Sequence, residues 1–342
     1  MESDFQTMDD AKYGLPFVSV ILPVYNGAGY LADSVNSILT QTYKNFELII
    51  INDGSTDDSA AIIHKITDPR IRYFEQENQG LAATLNRAIG LARGEFIARQ
   101  DQDDTSLPHR LEKQVDYLRS HCNCGMVGTW AEIWVDDTRT ERAHKHPADN
   151  ASLQFFLLFN NPFVHSSVML RKEVFDRVGL YCTDRSRQPP EDYELWSRVA
   201  REFDVANIPE MHLIYREVPT SMSRDGVNPF LEKVINISAE NIAWATKRSS
   251  ADPAVRTLAA LNHGATHLLQ SLVRFKVITA LFSRAVEDVC HRSGVAGHLV
   301  KTTADTHLYA IWYHYYTYRF GKHLGGVMSA LTGFMHRKIT NK

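Results

Sequence analysis

Cysteine is scarce in this 342-residue sequence, which has four. Cys122 and Cys124 are separated by a single residue, not the pair usual in zinc knuckles, and no second such pair follows. The thiols therefore read as free, in a reducing compartment. Long hydrophobic runs are missing too. The best stretch, Phe155 to Leu170, is interrupted by Asn160, Asn161, Pro162 and His165, which excludes a membrane-spanning helix. The first ten residues lack the basic and apolar regions of a secretory signal, so the expected location is the cytoplasm. Neither sign of charge dominates: 37 Lys and Arg against 40 Asp and Glu give a net charge of −3. Such a balance excludes a general attraction to nucleic acid or anionic lipid. No internal repeat or low-complexity segment is present.

What is present is an alternation of buried strands and helices. Val18 to Leu22 is a continuous β-branched run of the kind found in parallel sheets. Leu31, Val35, Ile38 and Leu39 recur at helical spacing and predict a helix to about Thr42. Further strands are expected at Glu47 to Ile51, Ile71 to Phe74 and Glu95 to Arg99. Helices are expected at Asp57 to Ile66, Leu81 to Ala92 and Leu107 to Ser120. This rhythm predicts a doubly wound α/β unit, with ligands bound beyond the carboxyl ends of its strands. After residue 125 the pattern loosens, with strands at Met126 to Val135 and Val168 to Leu170. From Pro229 onward it reads as helices. The expected organisation is an N-terminal extension over 1–16, a catalytic unit over 17–225 and a helical region over 226–342.

Four polar clusters stand at or near the expected ligand edge. Asp101, Asp103 and Asp104 follow a buried strand, where their mutual repulsion is costly unless a cation neutralises it. Mg²⁺ or Mn²⁺ would take one or two such carboxylates plus substrate phosphates; a solvated helix-capping loop is the plainer alternative. Asp53 ends a second strand and offers an acceptor to a base or ribose, or simply makes an Asp-Gly turn. Pro23, Tyr25 and Asn26 follow the first strand, and Tyr25 presents an aromatic face for stacking or for packing. Glu191 and Asp192 lie at a helix start behind Pro189-Pro190, where the helix dipole favours acids and a general base would be well placed. Gly27-Ala28-Gly29-Tyr30-Leu31-Ala32 fits a dinucleotide fingerprint, but four residues separate its first glycine from the strand, so that pattern is set aside.

Taken in order, VSVILPVYNGAGYLADSVNSILTQTYKNFELIIINDGSTDDS, ENQGLAATLNRAIGLARGEFIARQDQDDTSLPHRLEKQ, NPFVHSSVMLRKEVFDRVGLY and PPEDYELWSRVA resemble the inverting family 2 glycosyltransferases of GT-A fold. The resemblance spans Phe17 to Arg224 and points to bacterial cell-surface polysaccharide synthesis. It implies a GT-A doubly wound mixed sheet with a C-terminal helical region. It also implies transfer of a sugar from a nucleoside-diphosphate sugar, of UDP or dTDP type, to a hydroxyl of a glycan or lipid-linked acceptor. Pro23, Tyr25, Asn26, Asp53 and Asp101 fall at nucleotide-sugar-binding positions. Asp103, with Asp101, falls on the metal-binding motif for Mn²⁺ or Mg²⁺. Asp192 matches the general base, Glu191 stands beside it, and His165 is a candidate acceptor or diphosphate contact.

Three departures from the family pattern matter. Val218 stands where relatives often carry a histidine. No Q-x-x-R-W segment follows Asp192, which favours addition of a single sugar over processive synthesis. Gln100 replaces a usually apolar residue. The competing functions are a nucleotidyltransferase, disfavoured because Pro23 to Tyr30 holds no Lys or Arg, and a non-catalytic sugar-nucleotide-binding protein. The tail over 306–342 has no Asp or Glu and is rich in aromatics and cations. It suits peripheral contact with the inner face of the cytoplasmic membrane, or packing of the aromatics on the protein itself.

Overall fold

The computed structural model describes residues 17–218, 229–269 and 272–320. The expected extension over 1–16 lies outside them, as do 219–228 and 321–342.

The first strand, β1 (Val18–Val24), is buried along its whole length. It pairs in parallel with β2 (Phe46–Asp53) and β4 (Phe96–Arg99), and β2 pairs in parallel with β3 (Ile71–Gln76). The helices α1 (Leu31–Leu39), α2 (Ser59–His64) and α3 (Leu81–Leu91) connect these strands. Leu31, Val35 and Ile38 of α1 are fully buried, as their spacing predicts. Each contributes about 1.5–3 kcal/mol by leaving water. At the end of these strands remote from the ligand edge, Glu47 accepts from Ser19 Oγ, Arg93 N and Arg72 Nη1, which fastens three strands to one carboxylate.

Beyond β4 the sheet turns mixed. The short β5 (Thr105–Ser106) and α4 (Arg110–Ser120) lead into β6 (Cys124–Val135), whose outer part pairs with β7 (Thr138–His144). A helix, α5 (Asn150–Leu157), and a 3-10 turn at His165–Ser167 precede β8 (Met169–Arg171) and α6 (Glu173–Val178). Then come α7 (Glu191–Glu202) and the long β9 (Asp204–Glu217). Among the described residues the strand order is β3-β2-β1-β4-β8-β6-β9-β5, with β7 beside β6. No regular pattern in the sequence predicts β9. Pro209 and Glu210 interrupt its pattern, and they stand unpaired between Ile208, opposite Thr129, and Met211, opposite Trp130. A bulge is where a strand tolerates proline.

The remaining chain forms α8 (Leu231–Thr246), α9 (Pro253–Asn262), α10 (Phe275–Ser293) and α11 (His298–Phe320). The chain divides into two compact units, 1–150 with 162–229 and 151–161 with 230–342. This corrects the expected 17–225 unit: Ala151–Asn161 belongs to the helical unit. The physical reason is its apolar face. Phe155, Leu158 and Phe159 are buried among Ile242, Leu258, Phe282 and Ile311. Of the aromatics in the tail, Tyr315 is buried in this same core and its hydroxyl accepts from Phe275 N at 3.1 Å. Tyr318 and Phe320 are exposed. No helix among the described residues is long and apolar enough to cross a membrane.

Phe155 contacts the rings of Phe156, Phe159, Phe282 and His307. Phe155→Ala should cost about 3–5 kcal/mol. A denaturant titration checks this, and an unchanged midpoint would contradict the packing described.

Candidate active site

The carboxyl ends of β1, β2 and β4 carry the predicted ligand residues. Pro23 is buried inside β1, opposite Ile51, and not in the loop that follows the strand. Tyr25 is exposed just beyond it. Asn26 takes a left-handed backbone (φ 49°), and its side-chain oxygen accepts from Thr56 N at 2.8 Å. Its own N–H donates to Ser55 Oγ at 3.0 Å. Asn26 thus cross-links the loops after β1 and β2.

Asp53 is buried at the end of β2. Its Oδ1 accepts from Gln76 Nε2 at 2.7 Å and Gln79 N at 2.8 Å, and its Oδ2 from Gly80 N at 2.9 Å. Gly80 opens α3 with φ 88°, a conformation that suits glycine. Asp53 therefore caps the start of α3 from across the chain. A carboxylate has about four acceptor positions, so among the described residues one remains open, on Oδ2.

The acidic loop after β4 rests on a buried polar network. Gln100 is fully buried: its Nε2 donates to Ser34 Oγ and Asp104 O, and its Oε1 accepts from Ser106 Oγ and Arg110 Nη1. Arg110, also fully buried, donates in addition to Arg99 O at 2.6 Å, Ser106 Oγ at 2.7 Å and Gln114 Oε1 at 3.2 Å. Asp104 faces inward. It accepts from Ser166 Oγ, and from Arg216 N at 2.9 Å, which ties the 3-10 turn and β9 to the loop. Its burial, with the charges of Asp101 and Asp103, holds its carboxyl well above the usual range.

Asp101 and Asp103 remain half-buried. Asp101 Oδ1 accepts from Arg99 Nη2 at 2.5 Å. Burial and the charge of Asp101 push Asp103 up to about 6. Arg216 lies against the same loop: its Nε donates to Asp103 O at 3.0 Å and its guanidinium sits 4.4 Å over the Tyr30 ring. Gln102, between the two acids, donates from Nε2 to Tyr25 O at 3.0 Å and accepts from Tyr25 N at 2.9 Å.

The second group of candidates stands on α7 and the 3-10 turn. Burial, then the charge of Glu191, pushes Asp192 up to about 7. Glu191 is itself raised by burial. His165 Nε2 lies 3.0 Å from Tyr181 OH, and its ring packs edge-on to Trp196, one helical turn beyond Asp192. Burial, with the nearby Arg99 charge, pulls His165 down to about 3, so its imidazole is neutral. Asn86 pairs with both backbone groups of Tyr181, and Arg198 donates to Val178 O and Leu180 O. The charge of Asp101 acts on Asp103, Glu191, Asp192 and His165, so all four lie within its electrostatic reach. Asp53, Tyr25 and Asn26 form the neighbouring β1–β2 part of the edge.

A protein-family model described as glycosyl transferase family 2 matches residues 19–179. An uncharacterized glycosyltransferase of Haemophilus influenzae is 32% identical over 248 residues, which cover 69% of this chain and 76% of the relative. The chain belongs to glycosyl transferase family 2. The O-antigen biosynthesis glycosyltransferase WbnJ of Escherichia coli is 36% identical over 191 residues, covering 55% of this family 2 chain and 73% of WbnJ. The GT-A fold of the glycosyltransferase is shared with solved structures. Residues 1–349 of Staphylococcus aureus TarS, in complex with UDP-GlcNAc, superpose with a TM-score of 0.58 at 17% identity, covering 89% of this chain and 91% of that one. The mannosyltransferase PcManGT of Pyrobaculum calidifontis, in complex with GDP-Man and Mn²⁺, gives 0.52 at 18% identity, covering 88% and 87%.

The hydrogen bonds made by Gln102, Arg110 and Arg216 in this glycosyltransferase are not marked in its sequence. A glutamine among acids and arginines near helix and strand ends carry no distinguishing pattern. Gln100→Leu should strip Arg110, Ser106 and the Asp104 carbonyl of partners and destabilise the protein by about 3 kcal/mol. Urea unfolding checks it, and wild-type stability would show the network to be dispensable.

Proposed function

We propose that this glycosyltransferase moves a single sugar, with inversion, from a nucleoside-diphosphate sugar to an acceptor hydroxyl. The donor is of UDP or dTDP type and the acceptor a glycan or lipid-linked glycan of a cell-surface polysaccharide. The observation that carries the reading is that the charge of Asp101 acts on both raised carboxyls, Asp103 at about 6 and Asp192 at about 7, which brings the acidic loop after β4 and the start of α7 within electrostatic reach of each other. The likeness to WbnJ, an O-antigen biosynthesis glycosyltransferase, and to TarS, solved in complex with UDP-GlcNAc, supports the polysaccharide and UDP-sugar parts.

Asp101 and Asp103 offer hard carboxylate oxygens, and burial leaves Asp103 short of compensating charge, which fits Mg²⁺ or Mn²⁺. Among the described residues no three His, Cys, Asp or Glu groups form a metal cluster, so donor phosphates and water would complete the shell. PcManGT was solved with Mn²⁺. An ion held there supplies neutralising charge to the departing diphosphate.

The chain's own residues do the rest. Tyr25 presents a ring on which the donor base stacks, and the open position on Asp53 Oδ2 accepts a base N–H. His165, neutral and oriented by Tyr181, contacts the acceptor or diphosphate without adding charge. Asp192 takes the proton of the acceptor hydroxyl as that oxygen attacks the anomeric carbon. The bond from that carbon to the diphosphate oxygen breaks in the same displacement, so the anomeric configuration inverts. A base poised near neutral pH suits this proton transfer.

Asp192→Asn should lower transfer by about 10²–10⁴-fold while leaving UDP binding intact. Wild-type transfer should rise with pH through about 7 as Asp192 loses its proton. The stability sign runs the other way. A carboxyl raised on folding contributes stability at acid pH that is lost as pH climbs through its folded value. Asp192→Asn should therefore melt higher than wild type above pH 7. Near-normal transfer by the variant would remove Asp192 from the reaction.

Asp103→Ala should abolish the gain in UDP affinity that Mn²⁺ produces in the wild type. Calorimetry with and without Mn²⁺ reads this directly, and a retained gain would move the ion elsewhere.

A further inference from the structure

The residue between the two acids of the metal-binding motif is joined to the base-stacking residue. The Gln102 amide makes two antiparallel hydrogen bonds to one backbone unit 77 residues earlier. Tyr25 N donates to Oε1 at 2.9 Å, and Nε2 donates to Tyr25 O at 3.0 Å. No other side chain would fit as well. Asparagine is a methylene too short, glutamate lacks the N–H for Tyr25 O, and methionine offers neither group.

Among the described residues, the backbone N–H groups that follow Tyr25 in this loop are held from the opposite side. Asn26, Gly27 and Ala28 donate their backbone N–H groups to Ser55 Oγ, Ser59 Oγ and Asp57 Oδ2, all beyond β2. Gln102 ties Tyr25 from the β4 side. Gly27 makes room for it. A Cβ on Gly27 would lie 2.4 Å from Gln102 Oε1, 2.5 Å from Cδ and 3.1 Å from Cγ, and these three atoms are its nearest neighbours. The Tyr25 ring itself stays exposed and free to receive a ligand.

We propose that Gln102 is a positioning residue for the nucleotide: its amide fixes the Tyr25 backbone, and through it the stacking ring, to the loop that carries Asp101 and Asp103. The inference rests on the donor reading above. It makes the base contact and the diphosphate contact parts of one rigid unit, set before the donor arrives. Because Tyr25 would grip the base equally before and during the reaction, loosening it should weaken binding more than turnover.

The test is a double-mutant cycle on the full chain with Gln102→Ala, Gly27→Ala and both together. Affinities for UDP, dTDP and GDP are measured by calorimetry in Mn²⁺, with donor KM and kcat where a donor turns over. Gln102→Ala should weaken the bound nucleotide roughly ten-fold, as the loss of two hydrogen bonds implies, and raise KM more than it lowers kcat. Gly27→Ala should do the same by displacing the amide. In the double variant the added methyl meets no Gln102 atoms beyond Cβ, so affinity should stay within about two-fold of Gln102→Ala alone. Gln102→Glu, which keeps only the acceptor, should not restore binding. Additive losses in the double variant, or unchanged affinity in Gln102→Ala, would overturn the inference while the wild type still binds nucleotide. A wild type that binds none of the three diphosphates would overturn the donor reading, and the inference with it.

Discussion

The buried guanidinium of Arg110 is the constraint on which the ligand edge depends. A charge taken fully out of water must find its hydrogen bonds inside the protein or destabilise it by several kcal/mol. Arg110 finds them at the Arg99 carbonyl, Gln100, Ser106 and Gln114. Those partners come from the end of β4, the acidic loop, β5 and α4 itself. The direction in which the chain leaves β4, and so the aim of Asp101 and Asp103, follows from satisfying one cation. Asp104 completes the arrangement by holding Ser166 and the Arg216 backbone to the same loop.

Around this anchor the edge is crowded with acids raised by burial: Asp103, Asp104, Glu191 and Asp192. A structure selected for stability alone would not concentrate like charges at a half-buried edge. Arg99 and Arg216 offset part of the repulsion on Asp103, and Arg110 attracts the Asp104 carboxylate. Arg99 Nε, although buried, has no hydrogen-bond partner among the described residues. Such residual imbalance is characteristic of sites arranged for binding and proton transfer.

Much of this was legible in the residues. The continuous apolar runs of β1, β2 and β4 can be little else than buried strands, and the density of acid after β4 marks the edge. The segment Glu191-Asp192 announces itself by its charges behind two prolines. What escaped reading depends on atoms that leave no trace in composition. Asp53 stands out as an acid at a strand end, but its partners include the backbone N–H groups of Gln79 and Gly80. The strand β9 was hidden by Pro209 and Glu210, whose bulge appears only when Thr129 and Trp130 are seen opposite. The segment 151–161 lies between sheet strands in the chain and so reads as part of the sheet unit, whereas its apolar face is matched by helices that begin only at Leu231.

That displaced segment has a consequence in time. Phe155, Leu158 and Phe159 leave the ribosome well before Phe230, where the rest of their unit begins. At about 5–20 residues per second, the interval is on the order of 4–14 s. For those seconds an apolar helix face has no native partner, although the strands on either side of it can already pair. The order of synthesis therefore opposes the order of packing. The growing chain passes through a stage at which a holding chaperone, or an unwanted neighbour, meets Phe155 before Leu258 does.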